Sequence, residues 1–179
     1  MTLRVVQWAT GTVGIHAVPA IAAHPELELA GLWVHSDSKA GRDAGEICGG
    51  PALGVTATSD GDALLDLHPD AVCYTASSDI RPDGVVDDLC RILASGANVV
   101  NTSFVPLLFP AAAGPGVLER LEEACQEGGS SLYTSGIDPG MHTALTALTQ
   151  GSYFIFSDIT ATGPDEVTRQ IDPMVFEIE

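Results

Sequence analysis

Positive charge is scarce in this chain: 7 Lys and Arg stand against 24 Asp and Glu in 179 residues, a formal net charge of −17 at pH 7. A nucleic acid would find no basic stripe to displace its counterions, so no nucleic-acid partner is expected. Cysteine is sparse and scattered: Cys48, Cys73, Cys90 and Cys125 form no C-x-x-C pair, which argues against a zinc knuckle and a disulfide framework and fits a reducing cytoplasm. Nowhere do about 18 apolar residues run together, and MTLRVVQW lacks an export-type apolar core, so neither a membrane span nor secretion is expected. His16, His24, His35, His68 and His142 never fall into H-x-x-x-H spacing, and no G-x-S-x-G elbow occurs, which disfavours a metal site and a serine hydrolase. Internal repeats and low-complexity segments are absent too.

What is present begins at once. The apolar run Leu3-Arg4-Val5-Val6-Gln7-Trp8 leads directly into Ala9-Thr10-Gly11-Thr12-Val13-Gly14. A buried parallel strand that enters a glycine turn and then a helix presents bare backbone N–H groups to a diphosphate, so a dinucleotide is the expected ligand. In this reading Gly11 lets the phosphates approach the backbone and Gly14 lets the helix pack on the strand. Ala9 takes the tight-turn position usually held by glycine. Glycines serving packing alone are the bland alternative.

Alternation of strand and helix then continues. Residues 12–24 read as a helix containing Pro19, Leu27–Val34 as a strand, Val55–Thr58 as a short strand and Asp62–Leu67 as a short helix. Asp70–Ala76 is a nearly continuous apolar strand, 83–94 an amphipathic helix with Val86, Leu89, Cys90 and Leu93 inward, and Ala97–Asn101 the next strand. A helix over 117–127, stopped by Gly128-Gly129, precedes a sixth strand at Ser131–Thr134, and an apolar helix is expected over Thr143–Leu148. The pattern predicts a doubly wound parallel sheet over residues 1–150. Residues 151–179 offer two short strands, 153–156 and 174–178, and read as a remnant or beginning of a second, α+β domain.

Candidate ligand residues lie at strand ends. Past the second strand, Val34-His35-Ser36-Asp37-Ser38-Lys39 offers no acidic side chain where a ribose 2′-hydroxyl is usually read, whereas His35, Ser36, Lys39 and Arg42 could hold a 2′-phosphate. NADP is favoured and NAD stays open, against the alternative of a solvated loop. Thr75 and Ala76 after the fourth strand, and Thr102 after the fifth, are expected near the nicotinamide, with Ser103 and Phe104 bordering a substrate. Asp138, in Ser135-Gly136-Ile137-Asp138-Pro139-Gly140, is a substrate-side candidate, more readily a helix cap.

The stretches Val6–Gly14, His24-Pro25-Glu26-Leu27-Glu28-Leu29, Gly41-Arg42-Asp43-Ala44-Gly45-Glu46-Ile47-Cys48-Gly49, Thr102-Ser103-Phe104 and Gly136–Gly140 resemble the dihydrodipicolinate reductase-like oxidoreductases, closest to their amine dehydrogenase and 2,4-diaminopentanoate dehydrogenase branch. The resemblance extends to about residue 150. It implies a Rossmann-like NAD(P)-binding domain, followed by a domain that shapes the pocket and a homo-oligomer, and hydride transfer to or from a small imine, ketone or amine. Two features depart from that family. There is no His-His pair with a following lysine, and Thr102-Ser103-Phe104-Val105 stand where amine-acting members place a glutamate, so the catalytic residue is unassigned. Family members are also about twice as long, as two domains require. A truncated, weakly active chain is therefore expected, with a non-catalytic nucleotide-binding module as the alternative reading and a methyltransferase as a more remote one.

Overall fold

The computed structural model describes residues 2–77, 82–108, 110 and 113–136, backbone alone at 82 and 83, and beyond them only the backbone of four short strands. Two compact units result, Met1–Gly136 and Ile137–Glu179.

In the first unit, strands β1 (Leu3–Trp8), β2 (Leu27–Trp33), β3 (Ala57–Thr58), β4 (Ala71–Tyr74), β5 (Asn98–Asn101) and β6 (Leu132–Thr134) form one sheet in the order β3-β2-β1-β4-β5-β6, all pairs parallel. The order reverses between β1 and β4, so the expected doubly wound architecture is the one observed. In such a sheet ligands sit outside the carboxyl ends of the strands at the reversal.

Each face has its own core. Val6, Trp8, Val72, Tyr74 and Val99 point toward helices α4 (Pro82–Ala94) and α5 (Val117–Gly128), whose Val86, Leu89, Ile92, Leu93 and Leu121 are buried against them. Val5, Leu29, Leu32 and Ala57 point the other way, onto Val18 and Ile21 of α1 (Gly14–Ala23). Burial of each of these Val, Leu and Ile side chains contributes about 1.5–3 kcal/mol. Trp8 anchors the first layer, stacked 5.2 Å from Trp33 and 6.4 Å from Tyr74, with the Arg91 guanidinium 5.7 Å from its ring.

Several elements differ from expectation for identifiable reasons. Helix α1 starts at Gly14 because Thr12 and Val13 form the turn before it, and it accommodates Pro19, which lies on its exposed side. β3 is limited to Ala57–Thr58: Thr56 bridges to Asp43, and the Val55 carbonyl accepts from Ala44 N, so both are drawn from the sheet onto the preceding loop. α2 (Ala44–Ile47) and a 3₁₀ turn at Val105–Leu108 were not foreseen, and α3 spans only Gly61–Leu65. In the second unit β7 (Phe154–Ile155) pairs antiparallel with β10 (Val175–Phe176). Between them, β8 (Ile159–Ala161) and β9 (Arg169–Ile171) form a further antiparallel pair in what reads as a polar connection. No helix among the described residues is long and apolar enough to cross a membrane.

Candidate nucleotide-binding site

The turn after β1 is built by a backbone conformation that its sequence resists. Ala9 has φ +78°, in the left-handed region where a Cβ costs about 1–2 kcal/mol. Its amide donates to the Trp33 carbonyl at 3.0 Å, and its own carbonyl accepts from Gln7 Nε2 at 2.9 Å and Thr75 Oγ1 at 3.3 Å. Gln7 also donates to Thr75 Oγ1 at 2.8 Å, and that hydroxyl lies 3.1 Å from the Trp8 carbonyl. Two buried side chains, one from β1 and one just past β4, thus fix the turn.

The two glycines differ in kind. A Cβ on Gly14 would lie 2.1 Å from the Ala9 carbonyl oxygen and 2.9 Å from Thr75 Oγ1, so close packing demands glycine there. A Cβ on Gly11 would meet nothing within 4 Å, and Gly11 is exposed. The protein's own packing gives no reason for glycine at 11, and the space beside it is open to close approach of a ligand to the backbone. Thr12 and Val13 are exposed as well, Val13 at the N-cap supplies no side-chain bond, and the first turn of α1 carries no acidic residue. An anion at this end meets the positive pole of the helix without a competing carboxylate.

Lys39 reaches this turn from the loop after β2. Its Nζ donates to Thr10 Oγ1 at 3.0 Å and to the Thr10 carbonyl at 3.2 Å. An ammonium has three N–H donors, so one is left over. Among the described residues no carboxylate lies within salt-bridge distance of it: the three ion pairs found belong to Arg91 and Arg120. The other candidates from this loop surround it in sequence. His35 is exposed, its ring 6.1 Å from that of Trp33; Ser36 Oγ and Ser38 Oγ lie 2.7 Å apart; Arg42 is exposed. Asp37 is exposed too and accepts no bond found here.

At the ends of β4 and β5 the structure assigns some of the candidates other work. Thr75 is buried, with its hydroxyl spent on Gln7 and the Trp8 and Ala9 carbonyls, so it holds the turn. Phe104 is buried in the α4–α5 core. Ala76, Thr102 and Ser103 are half-buried, and Thr102 N donates to the Tyr74 carbonyl at 3.2 Å. Asn101, not singled out from sequence, shapes this loop: its Oδ1 accepts from Ser103 N at 2.8 Å and Phe104 N at 3.2 Å, while Nδ2 donates to Thr134 Oγ1 at 3.2 Å. Asp138 lies outside the described residues.

Three of the thiols are shielded rather than activated. Burial pushes the Cys48, Cys73 and Cys90 thiols above their ordinary value, at Cys48 against the opposing pull of the Lys39 charge. A cleft of about 580 Å3 lies elsewhere, between the 3₁₀ turn, α5 and β6, lined by Leu107, Leu118, Leu121, Cys125, Leu132 and others, and shares no residue with the glycine turn.

No family model matches the chain. It is 45% identical over 139 residues to an amine dehydrogenase of Streptomyces virginiae, covering 77% of this chain and 39% of that protein. A 4-hydroxy-tetrahydrodipicolinate reductase of Synechocystis is 32% identical over 97 residues, 54% of this chain and 35% of the relative. Among solved structures, the amine dehydrogenase from Mycobacterium smegmatis superposes with a TM-score of 0.66 at 27% identity, over 76% of this chain and 40% of that one. The chain spans about two fifths of the length of these relatives. In motif, in sequence and in the sheet around its glycine turn, the chain resembles the dihydrodipicolinate reductase-like dehydrogenases and reductases over its Rossmann-like part.

Proposed function

We propose that this chain is the nicotinamide-dinucleotide-binding part of a dihydrodipicolinate reductase-like oxidoreductase, acting on a small imine, ketone or amine, with NADP(H) preferred to NAD(H). The observation that carries the reading is Lys39: a cation bound to Thr10 of the glycine turn, with a spare donor and no carboxylate partner among the described residues, in a protein of net charge −17.

The residues present fit such a cofactor. Gly11 leaves open space where the diphosphate approaches, and the uncapped start of α1 supplies its amides. Lys39, Ser36, His35 and Arg42 form the side that would receive a 2′-phosphate, by charge-assisted bonds at the first and last of these. Ala76, Thr102 and Ser103 border the nicotinamide side. The cofactor supplies a hydride at nicotinamide C4 when bound; this chain's part is to grip and orient it. Thr102-Ser103-Phe104 hold hydroxyls and a buried ring where amine-acting members of the family place a carboxylate, so proton transfer falls to a group outside this stretch. The protein is read as a cytoplasmic homo-oligomer.

The test is a fluorescence titration of the full chain with NADPH and NADH. NADPH binds in the micromolar range, and Lys39→Ala weakens it about tenfold while changing NADH about twofold or less. Absence of binding by either nucleotide below millimolar concentration defeats the reading.

A further inference from the structure

We infer that Asp43 is a positioning residue for cofactor discrimination: by tying residues 43–54 into a closed loop, it anchors the segment that presents Lys39 and Arg42. This rests on the cofactor reading above and extends it to a side chain that touches no ligand.

The Asp43 carboxylate accepts from four backbone amides. Oδ1 takes Gly45 N at 2.8 Å, Leu53 N at 2.9 Å and Glu46 N at 3.4 Å; Oδ2 takes Gly54 N at 2.7 Å. Two amides in the first turn of α2, Gly45 and Glu46, and the far end of the loop therefore converge on one side chain. The knot is tight. A Cβ on Gly45 would fall 1.9 Å from the Pro51 carbonyl oxygen, so the two limbs pack backbone on backbone, and Gly50 N donates to the Gly45 carbonyl at 2.9 Å.

From the knot a continuous ladder of backbone bonds leads to the basic residues. Ala44 N donates to Val55 O and Ala57 N to Arg42 O, while Gly41 N returns to Ala57 O, each at 2.8 Å. Arg42 N then donates to Lys39 O at 3.2 Å, and Lys39 N and Ala40 N both donate to Ser36 O. Every residue proposed for the 2′-phosphate beyond His35 lies on that ladder. The backbone of the glycine turn is held mainly by Gln7, Thr75 and the Trp33 carbonyl, none of which contacts Asp43, and the loop meets it through Lys39 Nζ, which donates to Thr10. Loss of the knot therefore loosens the 2′-phosphate side most, while Gln7 and Thr75 still hold the turn on the diphosphate side. A purely structural role for Asp43 would weaken both equally.

The experiment measures dissociation constants of the full chain for NADPH and NADH by fluorescence, with 2′,5′-ADP against 5′-ADP as competing probes, in wild type, Asp43→Ala and Asp43→Asn. Asp43→Ala should weaken NADPH and 2′,5′-ADP about tenfold and NADH and 5′-ADP less than about twofold. Asp43→Asn should fall between, because its amide oxygen keeps the Gly45 and Leu53 bonds while its NH₂ faces another donor at Gly54. If Asp43→Ala does not fold, the asparagine variant carries the comparison alone. Equal loss for both nucleotides, or no loss, in a chain whose wild type binds NADPH overturns this inference and leaves the cofactor reading intact. A wild type that binds neither nucleotide overturns both.

Discussion

Gly11 and Gly14 stand three residues apart, and alanine at the two positions should fail in opposite ways. At Gly14 the added methyl carbon would sit 2.1 Å from the Ala9 carbonyl oxygen, 2.9 Å from the Ala9 carbonyl carbon and 2.9 Å from Thr75 Oγ1. None of these can yield cheaply: the Ala9 carbonyl is gripped by Gln7 and Thr75, and Ala9 is already in a strained conformation. Forcing a methylene into a packed core costs about 1–3 kcal/mol, and breaking one or two bonds at Ala9 adds about 1 kcal/mol each. A total of about 2–5 kcal/mol corresponds to a fall in Tm of roughly 5–15 °C for a chain of this size. At Gly11 nothing lies within 4 Å of the added carbon and no positive φ has to be held, so stability should stay within about 0.5 kcal/mol. Its cost appears in binding, where the methyl group occupies the diphosphate's path and NADPH affinity falls at least about tenfold. Thermal melts followed by circular dichroism, with nucleotide titration of the same samples, read both. A Gly14→Ala protein that melts with wild type, or a Gly11→Ala protein that binds NADPH as wild type does, refutes the division of labour.

The sheet was legible because burial on both faces leaves a strong trace: Val5-Val6 and Ala71–Tyr74 can be little else than interior parallel strands, and the glycines between β1 and α1 announce a sharp turn. α4 was legible from its apolar period, with Val86, Leu89 and Leu93 buried and Cys90 half-buried at the margin. Elements shorter than about two helical turns have no period to show, which is why α2 and the 3₁₀ turn escaped. The geometry of the candidate site was legible only at the glycine turn, where the backbone itself sets the shape. Gln7, inside an apolar strand, gives no sign in sequence of bonding forward to Ala9 and across to Thr75, a contact of sequence separation 68. Lys39 is similar, since its grip on Thr10 spans 29 residues and depends on how the loop after β2 folds back. Thr75 and Phe104 show the converse. Both follow the carboxyl ends of β4 and β5, but a hydroxyl and a ring can equally turn inward, and pairing with Gln7 and packing on α4 and α5 decided it. Asp43 gives no sign in sequence of its bonds to Leu53 and Gly54, a loop's length away.

Ala9→Gly should raise the melting temperature by about 2–4 °C, because relief of left-handed strain of about 1–2 kcal/mol exceeds the added chain entropy. An unchanged or lower Tm would place the strain elsewhere. Asp43 is held below the usual carboxylate range, the Leu53 amide contributing most, against the opposing effect of burial. Its folded pKa is the depressed one, so its stabilising effect is complete above the unfolded value of about 3.9 and is lost as pH falls through the folded value. Accordingly the Tm difference between wild type and Asp43→Asn should be flat from about pH 5 to 8 and shrink below about pH 4; a difference that grows on acidification contradicts the assignment. Gln7 offers the sharpest reading of the turn. Its Nε2 faces three oxygens, those of Ala9, Thr75 and, more distantly, Trp8, whereas its Oε1 is buried with no partner among the described residues. The amide therefore has one workable orientation, since the flipped one sets oxygen against oxygen. Gln7→Leu keeps the volume and removes the donor, at a cost of about 1–3 kcal/mol. Gln7→Glu keeps the shape yet offers only acceptors when ionised, so at pH 8 it should be the less stable of the two and should recover as acidification protonates it. Melts of both variants across pH decide this, and a glutamate variant as stable as the leucine variant at pH 8 would mean that Gln7 does not hold the turn through its N–H groups.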